Sequence, residues 1–234
     1  MNVRLDSLQL VLFSSGIVIE DKLKTANTLN EALSGIFDGD PLIFPLPNDV
    51  PPEIPRILLK SKDEKHKLQI APQRIDFIFQ YKKEEEATPF PIPSLFEKFV
   101  KIFQYFKETV HTQFMRTAMV ANWTIELEKF PGAECLLSKY IQKETPLKSP
   151  YALELHCLTK ETIADLKVNK WVRIKSAPKK IGPEQDKFIG FVIDINTFPE
   201  EIYKFDEELL QRFLNESSKV AQNTIDVHLK RMEE

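Results

Sequence analysis

Between Ile54 and Tyr81 apolar and polar residues alternate at the two-residue period of strands that bury one face on a sheet. Ile57, Leu58 and Leu59 mark one strand, Leu68 and Ile70 a second, and Ile75, Phe77, Phe79 and Tyr81 a third. The charged run Lys62-Asp63-Glu64-Lys65 turns between the first two, and Ala71-Pro72-Gln73 breaks the second from the third. Upstream, Val3, Leu5, Leu8, Leu10, Leu12 and Phe13 predict a strand region over 3–19, with Gly16 as a bulge or bend inside it. A short helix follows. Thr28 and Glu31 have capping-box spacing, Leu29, Ala32, Leu33, Ile36 and Phe37 share a face, and Asp38-Gly39-Asp40-Pro41 ends the pattern. Ser94 with Glu97 repeats the capping spacing before a long helix to about His111. Its stripe of Leu95, Phe96, Phe99, Val100, Ile102, Phe103, Phe106 and Val110 is read as a face packed on the sheet.

The pattern then restarts. Met115–Leu127 alternates as a strand, Pro131–Ile141 reads as a short helix, and strands are expected at Tyr151–Cys157, Trp171–Lys175 and Phe188–Ile195. Asp206 is positioned to cap a final helix to about Leu229. The inferred order, strand, helix, three strands, helix, thus occurs twice. At residue level, Leu68–Ile75 is echoed by Val172–Ile181. We therefore expect an α+β chain of two duplicated β-α-β-β-β-α halves, residues 1–112 and 113–234. Together they would form one curved antiparallel sheet with long helices on one face, similar in architecture to the TATA-binding-protein-like fold, which carries no functional implication.

The segment 41–55 holds six prolines and reads as an extended connector, since Leu42, Ile43, Phe44 and Leu46 are apolar and no basic-flanked P-x-x-P run is present. At 234 residues the chain is large enough to bury a core without disulfide or metal staples. Cys135 and Cys157 form neither a disulfide framework nor a zinc pattern, and both are read as reduced thiols. The first apolar run, Leu8–Ile19, is interrupted by Ser14-Ser15-Gly16 and too short to span a bilayer, so we expect a cytoplasmic protein with no membrane contact.

Candidate chemistry is sparse. His66, His111, His156 and His228 lack metal-ligand spacing, and His156 and Cys157 fall on opposite faces of one strand. The six glycines make no phosphate-cradling motif. We therefore expect neither enzymatic activity nor a cofactor or metal. Net charge is −3, which excludes a global drive toward nucleic acid. One local exception stands out: Lys167, Lys170, Arg173, Lys175, Lys179 and Lys180 fall within 14 acid-free residues around Trp171. A basic hairpin of this kind can track phosphates and stack a base. The competing explanation is a solvated edge strand whose lysines block strand addition. A third possibility is a polar, mixed-charge sheet face lined by Arg56, Lys60, Lys67, Gln69, Glu154, His156, Arg173 and Lys175.

Pro45-Leu46-Pro47, Pro55–Leu59 and Leu68–Asp76, with the strand-rich middle and long C-terminal helix, resemble a sporadically distributed prokaryotic family of similar length with no established activity. Scattered occurrence of that kind implies accessory genes such as anti-phage defence. The expectation is a non-catalytic accessory subunit that binds a protein, either itself or a neighbouring gene product. The alternative is a nucleic-acid-binding module using residues 167–180.

Overall fold

The computed structural model describes residues 1–47, 49–81, 90–128, 131–141, 150–176 and 187–233. Along the chain come β1 (Asn2–Ser14), α1 (Lys22–Ala32), β2 (Leu42–Ile43), β3 (Ile57–Lys60), β4 (His66–Ile70), β5 (Arg74–Gln80) and α2 (Ile92–Glu108). They are followed by β6 (Phe114–Glu126), α3 (Gly132–Tyr140), β7 (Glu154–Ile163), β8 (Leu166–Ser176), β9 (Phe188–Thr197) and α4 (Glu207–Glu233). All the strands join in one sheet of nine, in the order β2-β3-β4-β5-β1-β6-β9-β8-β7, and every neighbouring pair is antiparallel.

The two longest strands lie at the centre. β1 and β6 pair from Asn2↔Glu126 to Ser14↔Phe114, so the sheet passes unbroken from the first half of the chain to the second. The bulge in β1 falls at Asp6, between Leu5 and Ser7, and not at the expected Gly16, because the strand ends at Ser14. There the Ser14 hydroxyl accepts the Gly16 N–H at 3.2 Å and turns the chain out of the sheet.

Alternation in the strands sends one set of side chains under the helices. Leu10 and Leu12 of β1 stand beside Phe77 and Ile75 of β5 and Met119 and Thr117 of β6, and Ile193 of β9 stands beside Val172 of β8. Phe99, Ile102, Phe103 and Phe106 of α2 and Leu210, Phe213, Leu214 and Ile225 of α4 close over this face. They leave one continuous apolar core. Each fully buried side chain of this size contributes about 1.5–3 kcal/mol. The phenylalanine stripe of α2 is core.

Two helix starts differ from the capping-box expectation. α1 begins at Lys22, capped by Asp21, whose carboxylate accepts the Lys24 N–H at 2.9 Å. Thr28 lies inside the helix, where its hydroxyl donates to the Lys24 carbonyl at 2.9 Å and meets the Tyr105 hydroxyl of α2 at 2.6 Å. α2 begins at Ile92, where Pro91 and Pro93 preset the first turn, and Ser94 contacts Lys98 instead of capping. α4 starts as expected, with the Asp206 carboxylate accepting the Leu209 N–H at 2.8 Å. The proline-rich segment supplies β2, which pairs with β3. Gly39 packs so closely on β3 that a Cβ there would lie 2.8 Å from the Lys60 carbonyl oxygen.

Candidate functional site

All four helices share one side of the sheet. α1 contacts α2, α2 contacts α4, α4 contacts α3 and β6, and α3 contacts β8. The opposite face carries no helix among the described residues. The register assigns its members. Lys60 and Lys67 stand opposite each other on β3 and β4, next to Leu58 and Gln69. Arg74 and Asp76 on β5 face Phe13 and Val11 on β1, which face Arg116 and Ala118 on β6. On the far side, Asp194 of β9 faces Trp171 of β8, and Arg173 and Lys175 of β8 face His156 and Glu154 of β7. Of the residues expected on this face, Lys60, Lys67 and Gln69 lie on it toward one edge of the sheet and Glu154, His156, Arg173 and Lys175 toward the other. Arg56 is not among them, because its guanidinium donates to the Val50 and Ile54 carbonyls and pins the connector.

The basic segment is divided by its own strand. Lys167, Trp171, Arg173 and Lys175 project from the helix-free face, and Lys170 from the helix-covered one. Each of these cations meets a carboxylate: Lys167–Glu201 at 2.5 Å, Lys175–Glu154 at 2.5 Å, Arg173–Asp194 at 3.7 Å, and Lys170–Glu161. The hydrogen bonds from Lys175 and Lys167 hold the Glu154 and Glu201 carboxyls below their ordinary range. Arg173 also lies 5.6 Å over the Trp171 ring. Lys179 and Lys180 lie outside the described residues. β8 is not an edge strand, since β7 and β9 flank it. Its lysines therefore do not serve to block strand addition.

Elsewhere on the face, Arg4 pairs with Asp6 at 2.6 Å and Arg74 with Asp76. Asp76 is only 5 % exposed, and Gln9 also donates to it at 2.7 Å. Lys60, Lys67, Arg116 and Lys160 have no carboxylate partner among the described residues. Arg116 and Arg74 lie 4.8 and 5.4 Å over the two sides of Phe13. Burial lowers the Arg116 pKa, while nearby Glu200 opposes the shift. Sequence reading passed over Phe13, Arg116 and Lys160. Each is an isolated residue in a strand, and only pairing across roughly sixty to a hundred positions sets Phe13 between Arg74 and Arg116, while Lys160 stands apart on β7, over the Phe198 ring.

The titratable groups beneath the helices are structural in their surroundings. The Tyr140 hydroxyl and His228 Nδ1 are 2.8 Å apart between α3 and α4. Burial pushes the Tyr140 pKa up to about 12, so the phenol stays protonated beside His228. Burial, with Arg231 and Lys170 nearby, holds His228 below its ordinary 6.5, and burial holds His66 low in the same way. The unfolded chain therefore binds these protons first as pH falls. Stability conferred by neutral His228 is complete above 6.5 and is lost as pH drops from there through the lower folded value. Thermal unfolding at pH 7.5 and 5.5 should show a smaller fall in Tm for His228→Gln than for the parent chain. An equal fall would remove His228 from the acid response.

Among the described residues no group of three or more His, Cys, Asp or Glu could hold a metal ion. His156 and Cys157 point to opposite faces, as their partners Arg173 and Val172 require. Among the described residues no helix is long and apolar enough to cross a membrane. The chain matches no protein-family model and no curated protein.

Proposed function

We propose that this chain is a non-catalytic interaction module whose working surface is the helix-free face of the sheet and whose partner is a protein. The observation that carries the reading is the one-sided packing of the helices, which leaves the other face of nine strands with no helix over it among the described residues. That face mixes exposed cations, paired carboxylates and the rings of Phe13 and Trp171, a composition suited to a polar protein surface. The second half runs β-α-β-β-β-α as expected and the first matches it except for the added two-residue edge strand β2, which supports reading the chain as two duplicated halves in a TATA-binding-protein-like architecture. The strand order running outward from the central pair supports it too. With the resemblance to a sporadic prokaryotic family, the role proposed is that of an accessory subunit in the cytoplasm, of the kind found in anti-phage defence.

The partner is sought by affinity capture with three chains: the parent, an open-face variant (Lys60→Glu, Lys67→Glu, Lys175→Glu), and a helix-side control (Lys219→Glu, Lys230→Glu). The partner should be retained by the parent and the control. It should be weakened by on the order of ten-fold, ~1.4 kcal/mol, in the open-face variant. Equal capture by all three would sink the assignment of the surface.

One observation favours nucleic acid as a second reading. The strand positions of this face, with the bulged Asp6, carry nine lysines and arginines against five carboxylates, although the whole chain has a net charge of −3. Against it stands the carboxylate beside each described cation of the basic segment. Fluorescence anisotropy with single- and double-stranded DNA and RNA separates the two readings. Affinity that falls steeply between about 50 and 200 mM salt, and is lost in Lys167→Glu/Arg173→Glu/Lys175→Glu, would replace the protein reading.

A further inference from the structure

The two edges of the sheet are unlike. β2 is two residues long and follows directly from Pro41, so it offers little free backbone. β7 runs for ten residues without proline and pairs with β8 with no register shift. No strand lies along its outer side among the described residues, and of its ten residues only Ile163 is buried. We propose that β7 pairs antiparallel with β7 of a second copy of this chain, across a two-fold axis at Cys157.

Hydrogen-bond parity restricts the register. The Ala164-Asp165 turn, with φ of 52° and 63°, has the left-handed pair of a two-residue hairpin, whose flanking residues Ile163 and Leu166 exchange hydrogen bonds. At the other end, the Ser176 N–H donates to the Leu153 carbonyl at 3.0 Å. Odd-numbered residues of β7 thus direct their backbone groups at β8, and even-numbered residues direct theirs outward. A symmetric pair must therefore set even opposite even.

A centre at Cys157 meets that condition. His156 and Leu158 then exchange hydrogen bonds with their mates, and Glu154 faces Lys160 in two symmetric places. Moving the centre to His156 sets Glu154 against Leu158, and moving it to Leu158 sets His156 against Lys160. Neither alternative pairs opposite charges, so charge complementarity selects Cys157. Leu158, 42 % exposed, is covered by His156 of the second copy. The axis stands normal to the sheet, so both sets of helices lie on one side and the two helix-free faces become continuous. This pairing is independent of what that face binds.

Cys157 sits at a non-hydrogen-bonded position in this register, where Cα atoms approach to about 4.5 Å, within disulfide range. Cys157 is exposed and Cys135 buried, so oxidation reports on the edge. With diamide, two Cys157 thiols lose two protons and two electrons to the reagent and form one S–S bond. Sedimentation velocity over a micromolar concentration series should show a reversible dimer, and diamide should trap it. Cys157→Ser should abolish the crosslink and keep the dimer. Lys160→Glu sets a carboxylate against Glu154 twice and should raise the dimer Kd at least about ten-fold, while Glu154→Lys/Lys160→Glu should recover it. Circular dichroism confirms that each variant is folded. A chain that stays monomeric throughout, a dimer indifferent to Lys160→Glu, or a dimer that diamide does not trap would overturn the pairing.

Discussion

Replacing Phe103 by alanine is expected to lower unfolding free energy by about 3–5 kcal/mol, the range for removing a buried aromatic side chain. Phe103 of α2 is 2 % exposed, and its ring centroid lies 5.5 Å from that of Phe114, the first residue of β6. The contact fastens the helix that ends the first half of the chain to the strand that opens the second. The neighbours Phe99 and Phe106 are themselves fully buried in a close-packed core, so the vacated space is not readily refilled. Urea denaturation measures the loss, and Phe103→Leu should retain much of it. A midpoint unchanged in Phe103→Ala would mean that α2 is not required to hold the centre of the sheet.

The second large effect lies at the end of the central seam. Thr117 and Thr197 are both 0 % exposed. The Thr197 hydroxyl accepts the Thr117 N–H at 3.1 Å and donates to the Thr117 carbonyl at 3.3 Å, while the Thr117 hydroxyl donates to the Val11 carbonyl at 2.9 Å. The β6–β9 register runs from Ala118↔Asn196, so these side-chain bonds finish the ladder one residue beyond it. Thr197→Val keeps the shape and strands a buried N–H, which costs about 1–3 kcal/mol. Thr197→Ser keeps the hydroxyl and should cost less. If serine and valine lose stability equally, the methyl group and not the hydrogen bond is what matters.

Particular residues show where sequence reading reached. The alternation of Ile75, Phe77 and Phe79, and the stripe of α2, are local and periodic, and both predict the buried faces found here. Asp206 caps α4 as expected, because its signal lies within four residues of the bond it makes. The spacing of Thr28 and Glu31 misled because the same pattern inside a helix is satisfied by a bond to the preceding turn. β8 begins at Leu166, earlier than its Trp171–Lys175 core suggested. The left-handed turn at Ala164-Asp165 lacks the usual glycine and is held by α4, where Glu216 accepts the Ala164 N–H at 2.7 Å.

The candidate site follows the same division. That Lys167, Trp171, Arg173 and Lys175 share a face was legible, since strand alternation requires it. That Glu201, Asp194 and Glu154 neutralise them was not, because those carboxylates come from other strands and connections. The sequence alone determined the longer strands and helices and the apolar side of each, though not the short β2 inside the segment read as a connector, because those properties repeat over two to four residues. Only the tertiary structure decided that β1 and β6 form the centre and, among the described residues, that β7 is the long open edge and which cations keep no carboxylate. Those outcomes depend on register between distant strands, which is fixed when the whole core packs at once.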